Sequence, residues 1–365
     1  MTPGISRRAL PREDLQALEG YHSPQIDVPV RLNTNESPFA PPPGFIDEWL
    51  AALRELTFNR YPDRAARDLR EALGTHLGQP TERLFCANGS NEVLQTLLLT
   101  YGGASRRALV FEPTYALHGH IARLTGTDVV EGERLPGFLL DPDASAALVR
   151  DTEPSIVFVC SPNNPTGTVE ARDTLVALAD AAADVGALLV VDEAYGEFSH
   201  WSALELVDDS RSVVVVRTYS KVWSMAALRL GFAVAPAWVV AELEKVLLPY
   251  SLSSPTQLAG VIALRHRDEM AERVATLINE RERVAAALNA RPELRVFPSG
   301  ANFVLLQMHG DGHALWNALL EKGVLVRDFS RWPRLPECLR VTIGSRVEND
   351  AFLTAMREVL PEVAA

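Results

Sequence analysis

Short, wholly apolar runs alternate with longer segments of helical periodicity through the first two-thirds of the chain. Strands that lack polar alternation are typical of a parallel sheet covered on both faces, and apolar residues that recur every three or four positions are typical of helices. The pattern therefore predicts an α/β fold in which helices sandwich a mostly parallel sheet. The predicted strands are "RLFCA", "RALVF", "SIVFVC", "ALLVVD", "SVVVVR" and "LGFAVA", and the helices between them include "GSNEVLQTLLLTY", "TYALHGHIARLTG" and "EARDTLVALADAAADVG".

The pattern changes on both sides of this region. Residues 1–44 are polar and rich in proline, which is typical of an arm or loop. Beyond residue 250, a long helix or a kinked helix pair precedes further strands and helices. We therefore expect an N-terminal arm over 1–44, a large domain over 45–250 and a smaller α/β domain over 251–365. The strands expected in the small domain are "LRVFPS", "NFVLLQM", "VLVRDF" and "CLRVTIG".

Composition narrows the class of protein. Of the 365 residues, 47% are hydrophobic and 22% are charged, which is the balance of a globular protein. The formal net charge of −12 disfavours nucleic-acid binding, which needs clustered positive charge, although it permits a local cationic pocket. Neither a signal peptide nor an apolar run of roughly 18 residues is apparent, so we expect a cytoplasmic protein without a membrane segment. Cys86, Cys160 and Cys338 are far apart, so we expect neither disulfides nor a metal site.

Polar residues that could bind a ligand follow several predicted strands. In open parallel sheets, ligands bind beyond the carboxyl ends of the strands. After "RLFCA", the turn "NGSNE" places Ser90 and Asn91 either at an anion-binding helix start or in a simple helix cap. After "SIVFVC", the turn "SPNNPTG" presents Asn163 and Asn164, for which ordinary turn chemistry is the alternative.

A carboxylate and a lysine follow the next two strands. Asp192 ends "ALLVVD", where burial is costly without a partner, although a salt bridge or a helix cap would also explain it. Lys221 follows "SVVVVR" closely and could instead be a solvated surface lysine. Together these groups match the needs of pyridoxal phosphate. Its phosphate needs an anion site such as the helix start with Ser220 and Arg229, its pyridine nitrogen needs a carboxylate to stay protonated, and its aldehyde needs an amine.

Several motifs, in this order along the chain, resemble those of the class I/II aminotransferases of fold type I, a pyridoxal-phosphate family. They are "SPNNPTG", "VDEAY" and "RTYSKVWSMAALRLGF", and the similarity extends from about residue 21 to the last helix. Four further segments are similar to the histidinol-phosphate aminotransferase branch: "LNTNESPFAPP", "NRYPD", "NGSNE" and "EPTYALH". Trp223 stands where the family often has a smaller residue, and we expect it to alter the pocket.

The resemblance implies a role for each matching residue. Lys221 matches the lysine that bonds to the cofactor aldehyde and moves the substrate proton, and Asp192 matches the partner of the pyridine nitrogen. The other cofactor-binding matches are Tyr195 and Asn164 at the ring oxygen, Tyr115 stacked on the ring, and Ser90, Asn91, Ser220 and Arg229 at the phosphate. Tyr61 in "NRYPD" matches a tyrosine that reaches the phosphate from a neighbouring subunit, so the resemblance implies a homodimer.

The resemblance also implies a substrate and a reaction. Arg340 matches the arginine that binds the substrate α-carboxylate, and Asn164 also lies on the substrate side. Tyr21 and Arg327 match groups that bind a substrate phosphate, with Arg331 and Arg346 as alternatives. The implied reaction is amino transfer from histidinol phosphate to 2-oxoglutarate with ping-pong kinetics, a step of histidine biosynthesis. An aromatic-amino-acid aminotransferase, a phosphothreonine-type decarboxylase and a non-catalytic cofactor-binding module stay open as alternatives.

Overall fold

The computed structural model describes residues 9–16, 20 and 25–363, and the element bounds below refer to that part of the chain. The strands are β1 (Val30–Leu32), β2 (Leu84–Ala87), β3 (Arg107–Glu112), β4 (Asp128–Glu133), β5 (Ile156–Cys160), β6 (Leu188–Asp192), β7 (Val213–Thr218), β8 (Gly231–Val234), β9 (Leu294–Val296), β10 (Phe303–Met308), β11 (Val324–Asp328) and β12 (Cys338–Thr342). The helices are α1 (Pro43–Arg54), α2 (Arg67–Leu77), α3 (Ser90–Tyr101), α4 (Leu117–Leu124), α5 (Pro142–Thr152), α6 (Arg172–Val185), α7 (Ala237–Val246), α8 (Ser254–Ala263), α9 (Arg267–Asn289), α10 (Gly312–Glu321) and α11 (Arg346–Val363).

The larger sheet contains, among the described residues, seven strands in the order β2-β8-β7-β6-β5-β3-β4. The pairs from β7 to β4 are parallel, and β8 pairs antiparallel with both β2 and β7. Strands β5, β6 and β7 are buried at every position, because helices cover both faces of the sheet. The expected α/β fold with a mostly parallel sheet is therefore confirmed.

An edge strand and the helix after it are among the elements of the larger domain that are absent from the sequence prediction. The edge strand β4 reads "DVVEGE", and its acidic residues interrupt the apolar run that identified the other strands. The helix α5 follows it, with Asp141 as its cap: the side chain accepts a hydrogen bond from the Ala144 amide. An edge strand has one solvent-facing side and tolerates such polar residues, so its pattern is weaker than that of a central strand.

The smaller sheet joins the beginning of the described chain to its last third. Within the described residues its order is β1-β11-β12-β10-β9. Strand β1 pairs in parallel with β11, with Val30 opposite Val324, so the segment after β1 lies at the boundary between the two sheets. Helices α8 and α9 are separated by a 3-10 turn at Leu264–His266, which is the kinked pair expected from the sequence. The division at residues 44 and 250 stays a prediction.

Among the described residues, none of the helices has both the length and the apolar character needed to cross a membrane. The cytoplasmic location stays a prediction.

Candidate active site

A cleft of about 470 Å³ lies at the carboxyl ends of the central strands, between the two sheets. Its walls come from the segment after β1, from the loops of the larger sheet, and from β11 and β12 of the smaller sheet. This is the position expected for a ligand site in an open parallel sheet. The cleft brings together most of the residues predicted from the sequence: Ser90, Asn91, Tyr115, Asn164, Asp192, Tyr195, Ser220, Lys221, Arg229, Arg327 and Arg340.

Asp192 occupies the end of β6 and is only 2% exposed. One carboxylate oxygen accepts a hydrogen bond from the Ala194 amide at 3.0 Å. The other lies 2.9 Å from Nε2 of His118, a fully buried residue of α4 that stacks on Phe158. These contacts offset the cost of burying the carboxylate and hold its orientation.

His118 is a site residue that the sequence reasoning missed. It stands in the motif "EPTYALH", but its partner Asp192 is 74 positions away, and only the packing of α4 against the sheet brings the two together. The only signal in the sequence was the histidine itself, three positions after Tyr115.

Lys221 lies beyond the end of β7 and faces the cleft. Its Nζ donates a hydrogen bond to the backbone carbonyl of Thr34 at 3.0 Å. Burial lowers the pKa of the Lys221 amine to about 8, and the nearby cations Arg340 and Arg229 act in the same direction, against an opposing effect of Glu36. A larger share of the amine is therefore neutral, and nucleophilic, near physiological pH than for an exposed lysine.

The start of α3 forms an anion cradle with Ser220 and Arg229. Gly89 is the cap residue, with φ of +85° and no side-chain cap hydrogen bond, while Ser90 and Asn91 lie inside the first turn. The alternative that Ser90 or Asn91 is a simple helix cap is therefore wrong. Arg229 donates through Nη1 to Ser220 Oγ at 3.3 Å, so the guanidinium and the hydroxyl lie together beside the amide groups of the helix start.

The atoms around Gly89 and Gly231 in this cradle lie so close that a side chain at either position would collide with them. A Cβ on Gly89 would lie 2.5 Å from Nη2 of Arg229, and a Cβ on Gly231 would collide with the backbone at Ser90. Glycine at these positions leaves the amide groups and the guanidinium open to an anion. The space and the donors both fit a phosphate group.

Tyr195 and Asn164 also line the cleft. The Tyr195 hydroxyl accepts a hydrogen bond from Nδ2 of Asn35 at 2.9 Å, and burial raises the pKa of Tyr195 to about 12. The side-chain oxygen Oδ1 of Asn164 accepts a hydrogen bond from Nη1 of Arg340 at 2.5 Å, so the residue predicted to bind the cofactor contacts the residue predicted to bind the substrate carboxylate. Asn163 instead points inward and donates to the Pro113 carbonyl, so it has the turn role that the sequence left open.

Two buried arginines face each other across strands β11 and β12. Arg327 and Arg340 are directly opposite in the antiparallel register, and they are 8% and 7% exposed. Both guanidinium groups lie over the ring of Phe329, at 5.7 Å and 5.5 Å from its centre. Like charges directly opposite each other in a sheet repel, and an anion between them relieves that repulsion.

The two alternative arginines lie outside the lining of this cleft. Arg346 pairs with Glu280 at 3.0 Å on an exposed surface, and Arg331 is exposed. Arg327 is therefore the arginine, of the three considered, that the structure places beside Arg340.

Two further residues singled out from the sequence lie outside the cleft lining of this chain, and a third is not among the described residues. Tyr61 is 80% exposed and stacks on Tyr250, with ring centres 4.6 Å apart. Trp223 is buried and stacks on Tyr219 at 5.1 Å, so it does not line the cleft, and its expected effect on the pocket stays a prediction. Tyr21 lies outside the described residues.

The donor set fits pyridoxal phosphate group by group. The open cradle at Gly89 and Gly231 suits the phosphate, the buried carboxylate of Asp192 suits a protonated ring nitrogen, and the amine of Lys221 suits the aldehyde.

Comparison with known proteins identifies the family. Residues 27–356 match the aminotransferase class I and II family. The chain belongs to this family. Among its curated relatives, a histidinol-phosphate aminotransferase of Mycobacterium marinum is 45% identical over 358 residues, which cover 95% of this chain and 92% of the relative. The corresponding protein of Mycobacterium avium is 43% identical, and the alignment covers 98% of this chain and 91% of the relative.

Solved structures of this aminotransferase family have the same fold. The histidinol-phosphate aminotransferase of Sinorhizobium meliloti, crystallised in complex with pyridoxal-5'-phosphate, superposes with a TM-score of 0.88 at 24% identity. The match covers 96% of this chain and 97% of that one. An aspartate aminotransferase variant of Thermus thermophilus superposes with a TM-score of 0.81 at 24% identity, with coverage of 97% and 100%. At this identity the likeness concerns the fold.

Proposed function

We propose that this aminotransferase transfers the amino group of histidinol phosphate to 2-oxoglutarate, giving imidazole-acetol phosphate and glutamate in histidine biosynthesis. The observation that carries the proposal is the pair of buried arginines, Arg327 and Arg340, which face each other at the cleft. A phosphate dianion between two guanidinium groups is a strong charge-assisted contact. The 45% identity to a histidinol-phosphate aminotransferase over almost the whole chain supports the same substrate.

The same two cations serve both substrates in turn. The phosphate of histidinol phosphate binds at Arg327, with Tyr21 as a further ligand expected from the resemblance. The planar fork of Arg340 binds the α-carboxylate of glutamate or 2-oxoglutarate in a bidentate manner, and Asn164 fixes the orientation of that fork. Because the amino donor and the amino acceptor use one site in succession, ping-pong kinetics follow.

The cofactor is pyridoxal 5'-phosphate, which withdraws electrons from the carbon that bears the substrate amino group. Asp192 keeps a positive charge on the ring nitrogen, and His118 holds the carboxylate in place. Lys221 would hold the cofactor through its aldehyde. Its Nζ faces the cleft and would move the proton of the substrate's amine-bearing carbon. Burial favours the neutral amine that this proton transfer needs.

The remaining residues bind and orient the cofactor. Ser220, Arg229 and the start of α3, including Ser90 and Asn91, hold the phosphate. Tyr115 would pack against the ring, and the Tyr195 hydroxyl and the Asn164 amide would hold the oxygen that the ring carries.

The variant Arg327→Gln tests the phosphate assignment. Loss of a charge-assisted contact lowers kcat/KM for histidinol phosphate by about 10- to 100-fold. The kcat/KM for unphosphorylated histidinol falls less than about threefold, because this donor lacks the phosphate that binds there. The measurement is a donor series on wild type and variant with histidinol phosphate, histidinol, phenylalanine and tyrosine. Wild-type preference for phenylalanine or tyrosine over histidinol phosphate would contradict the proposal and support an aromatic-amino-acid aminotransferase.

We infer a homodimer in which Tyr61 reaches the phosphate site of the partner. In this chain Tyr61 is exposed and stacks on Tyr250 outside its own cleft. Phe58 and Leu248, within three positions of these two in the sequence, are also exposed and complete a sequence cluster of apolar side chains. Exposed apolar surface of this kind is typical of an interface between proteins. A dimer buries the cluster and completes each site with a residue from the other subunit.

Mixed dimers test this arrangement. A Tyr61→Ala protein has impaired cofactor phosphate binding, and a Lys221→Ala protein is inactive, so each alone is far below wild type. After the two are unfolded and refolded together, hybrid dimers regain activity, because one site then combines Lys221 of one subunit with Tyr61 of the other. No recovery in a mixture that sediments as dimers would show that Tyr61 acts within its own subunit or not at all.

A further inference from the structure

The loop between β11 and β12 carries an exposed tryptophan into the cleft. We call residues 329–337 the cleft loop. Trp332 on this loop lines the cleft and is 40% exposed, although most large apolar side chains of the chain are buried. The indole ring of Trp332 packs edge-on against the buried Phe329, with ring centres 4.9 Å apart. The backbone N–H of Trp332 donates a hydrogen bond to the backbone carbonyl of Phe329 at 2.8 Å. The ring therefore has a defined position on one wall of the site.

A charged contact holds the cleft loop across the boundary between the two sheets. Arg334, two positions after Trp332, donates through Nε to both carboxylate oxygens of Glu133, at 2.8 and 3.0 Å. Its Nη2 also contacts Glu131 at 3.2 Å. Both glutamates belong to β4 of the larger sheet, whereas the loop belongs to the smaller sheet. An exposed pair adds little stability, but a forked contact to two carboxylates fixes geometry.

The position of Trp332 relative to the arginines defines which part of a substrate it meets. Phe329, which Trp332 contacts, also lies under the guanidinium groups of Arg327 and Arg340. A substrate anchored by an anion at these arginines therefore has its next groups near the indole ring. Of the two amino donors, histidinol phosphate carries an imidazole ring and glutamate carries none. An indole face packs well on a planar ring and gains little from a carboxylate side chain.

We propose that Trp332 is a specificity-determining residue that covers the heteroaromatic ring of the amino donor, and that Arg334 positions it through Glu131 and Glu133. This inference rests on the proposed function, because it assigns the indole to one of the two proposed substrates. It predicts that removal of the ring harms one half-reaction and spares the other.

The two half-reactions, measured separately by single-turnover absorbance changes, test the proposal. Trp332→Ala lowers the specificity constant for histidinol phosphate about tenfold, the effect of losing one aromatic contact. The same variant changes the half-reaction with glutamate less than twofold. Trp332→Phe restores most of the loss, because it keeps a ring at this position. Arg334→Ala gives a smaller loss in the same direction, since the indole stays but its support is gone.

A matched control separates this role from a general effect of losing a tryptophan. Trp238 on α7 is 45% exposed and lies outside the cleft lining, so Trp238→Ala leaves both half-reactions unchanged. Equal losses with both donors in Trp332→Ala, or no loss with histidinol phosphate, would overturn the inference. If wild type does not use histidinol phosphate, the proposed function fails. The inference is then tested with phenylalanine against glutamate, and it fails by itself if Trp332→Ala does not discriminate between them.

Discussion

Replacement of Lys221 by alanine lowers the rate of amino transfer by about 10⁴-fold, the upper range for removal of a general base and acid. The amine is buried and has a pKa lowered to about 8, so a neutral nucleophile is available where an exposed lysine would be charged. Among the residues that line the described cleft, Lys221 is the only lysine, so no neighbouring amine replaces it. Steady-state rates with histidinol phosphate and 2-oxoglutarate measure the effect.

Chemical trapping gives a second readout of the same residue. Borohydride treatment of the wild-type enzyme with its cofactor fixes a label on the peptide that contains Lys221, and mass spectrometry locates it. The control is Lys245→Ala, because Lys245 is an exposed residue of α7 that pairs with Glu242. That variant keeps both the rate and the label. Wild-type activity in Lys221→Ala, or a label on another lysine, would refute the assignment of the site.

The variant Asp192→Asn has the second largest expected effect, a loss of about 10- to 1,000-fold in rate. A carboxylate close to a cationic nitrogen raises the pKa of that nitrogen by roughly one to three units. Each unit corresponds to a tenfold change in the protonation equilibrium. The carboxylate of Asp192 is 2% exposed, so solvent does not screen this effect. Asparagine keeps the size of the side chain and removes the charge. Single-turnover rates with histidinol phosphate measure the loss.

Cofactor affinity distinguishes loss of chemistry from loss of binding in Asp192→Asn. The anion cradle of Ser220, Arg229 and the start of α3 lies apart from Asp192 and stays intact, so the dissociation constant of pyridoxal phosphate rises by less than about tenfold, the effect of one lost contact. Fluorescence titration of the cofactor-free protein measures it. An unchanged rate would refute the role of the charge, and a failure to bind cofactor would show that Asp192 acts mainly in binding.

Residues that follow strands were predictable because their position in the site follows from local sequence. Once "ALLVVD" and "SVVVVR" are recognised as neighbouring strands of a parallel sheet, Asp192 and the segment that contains Lys221 must meet at one edge. The same argument places Ser90 and Asn164 there, whereas Arg229 lies at this edge because it precedes β8, which runs antiparallel to β7. Arg340 was predicted from the resemblance, and the structure places it in the same cleft.

Contacts between distant segments were not predictable in this way. Thr34 accepts the hydrogen bond of Lys221, and Asn35 donates to Tyr195, because β1 pairs with β11 and carries the following segment into the cleft. A strand of three residues has too little pattern to predict its partner in a sheet. Trp223 is close to the lysine in sequence, yet its side chain packs into the core and does not line the cleft, which a local pattern does not reveal.

The sequence by itself determined the α/β class, the cofactor chemistry and the set of groups at the strand ends, since apolar periodicity and strand-end polarity are properties of short segments. Only the tertiary structure decided that His118 supports Asp192, that Arg327 and Arg340 lie opposite each other, and that Arg334 links the loop of Trp332 to β4. Each of these depends on how the two sheets and their loops pack together. Packing is set by contacts over the whole chain, which no local pattern records.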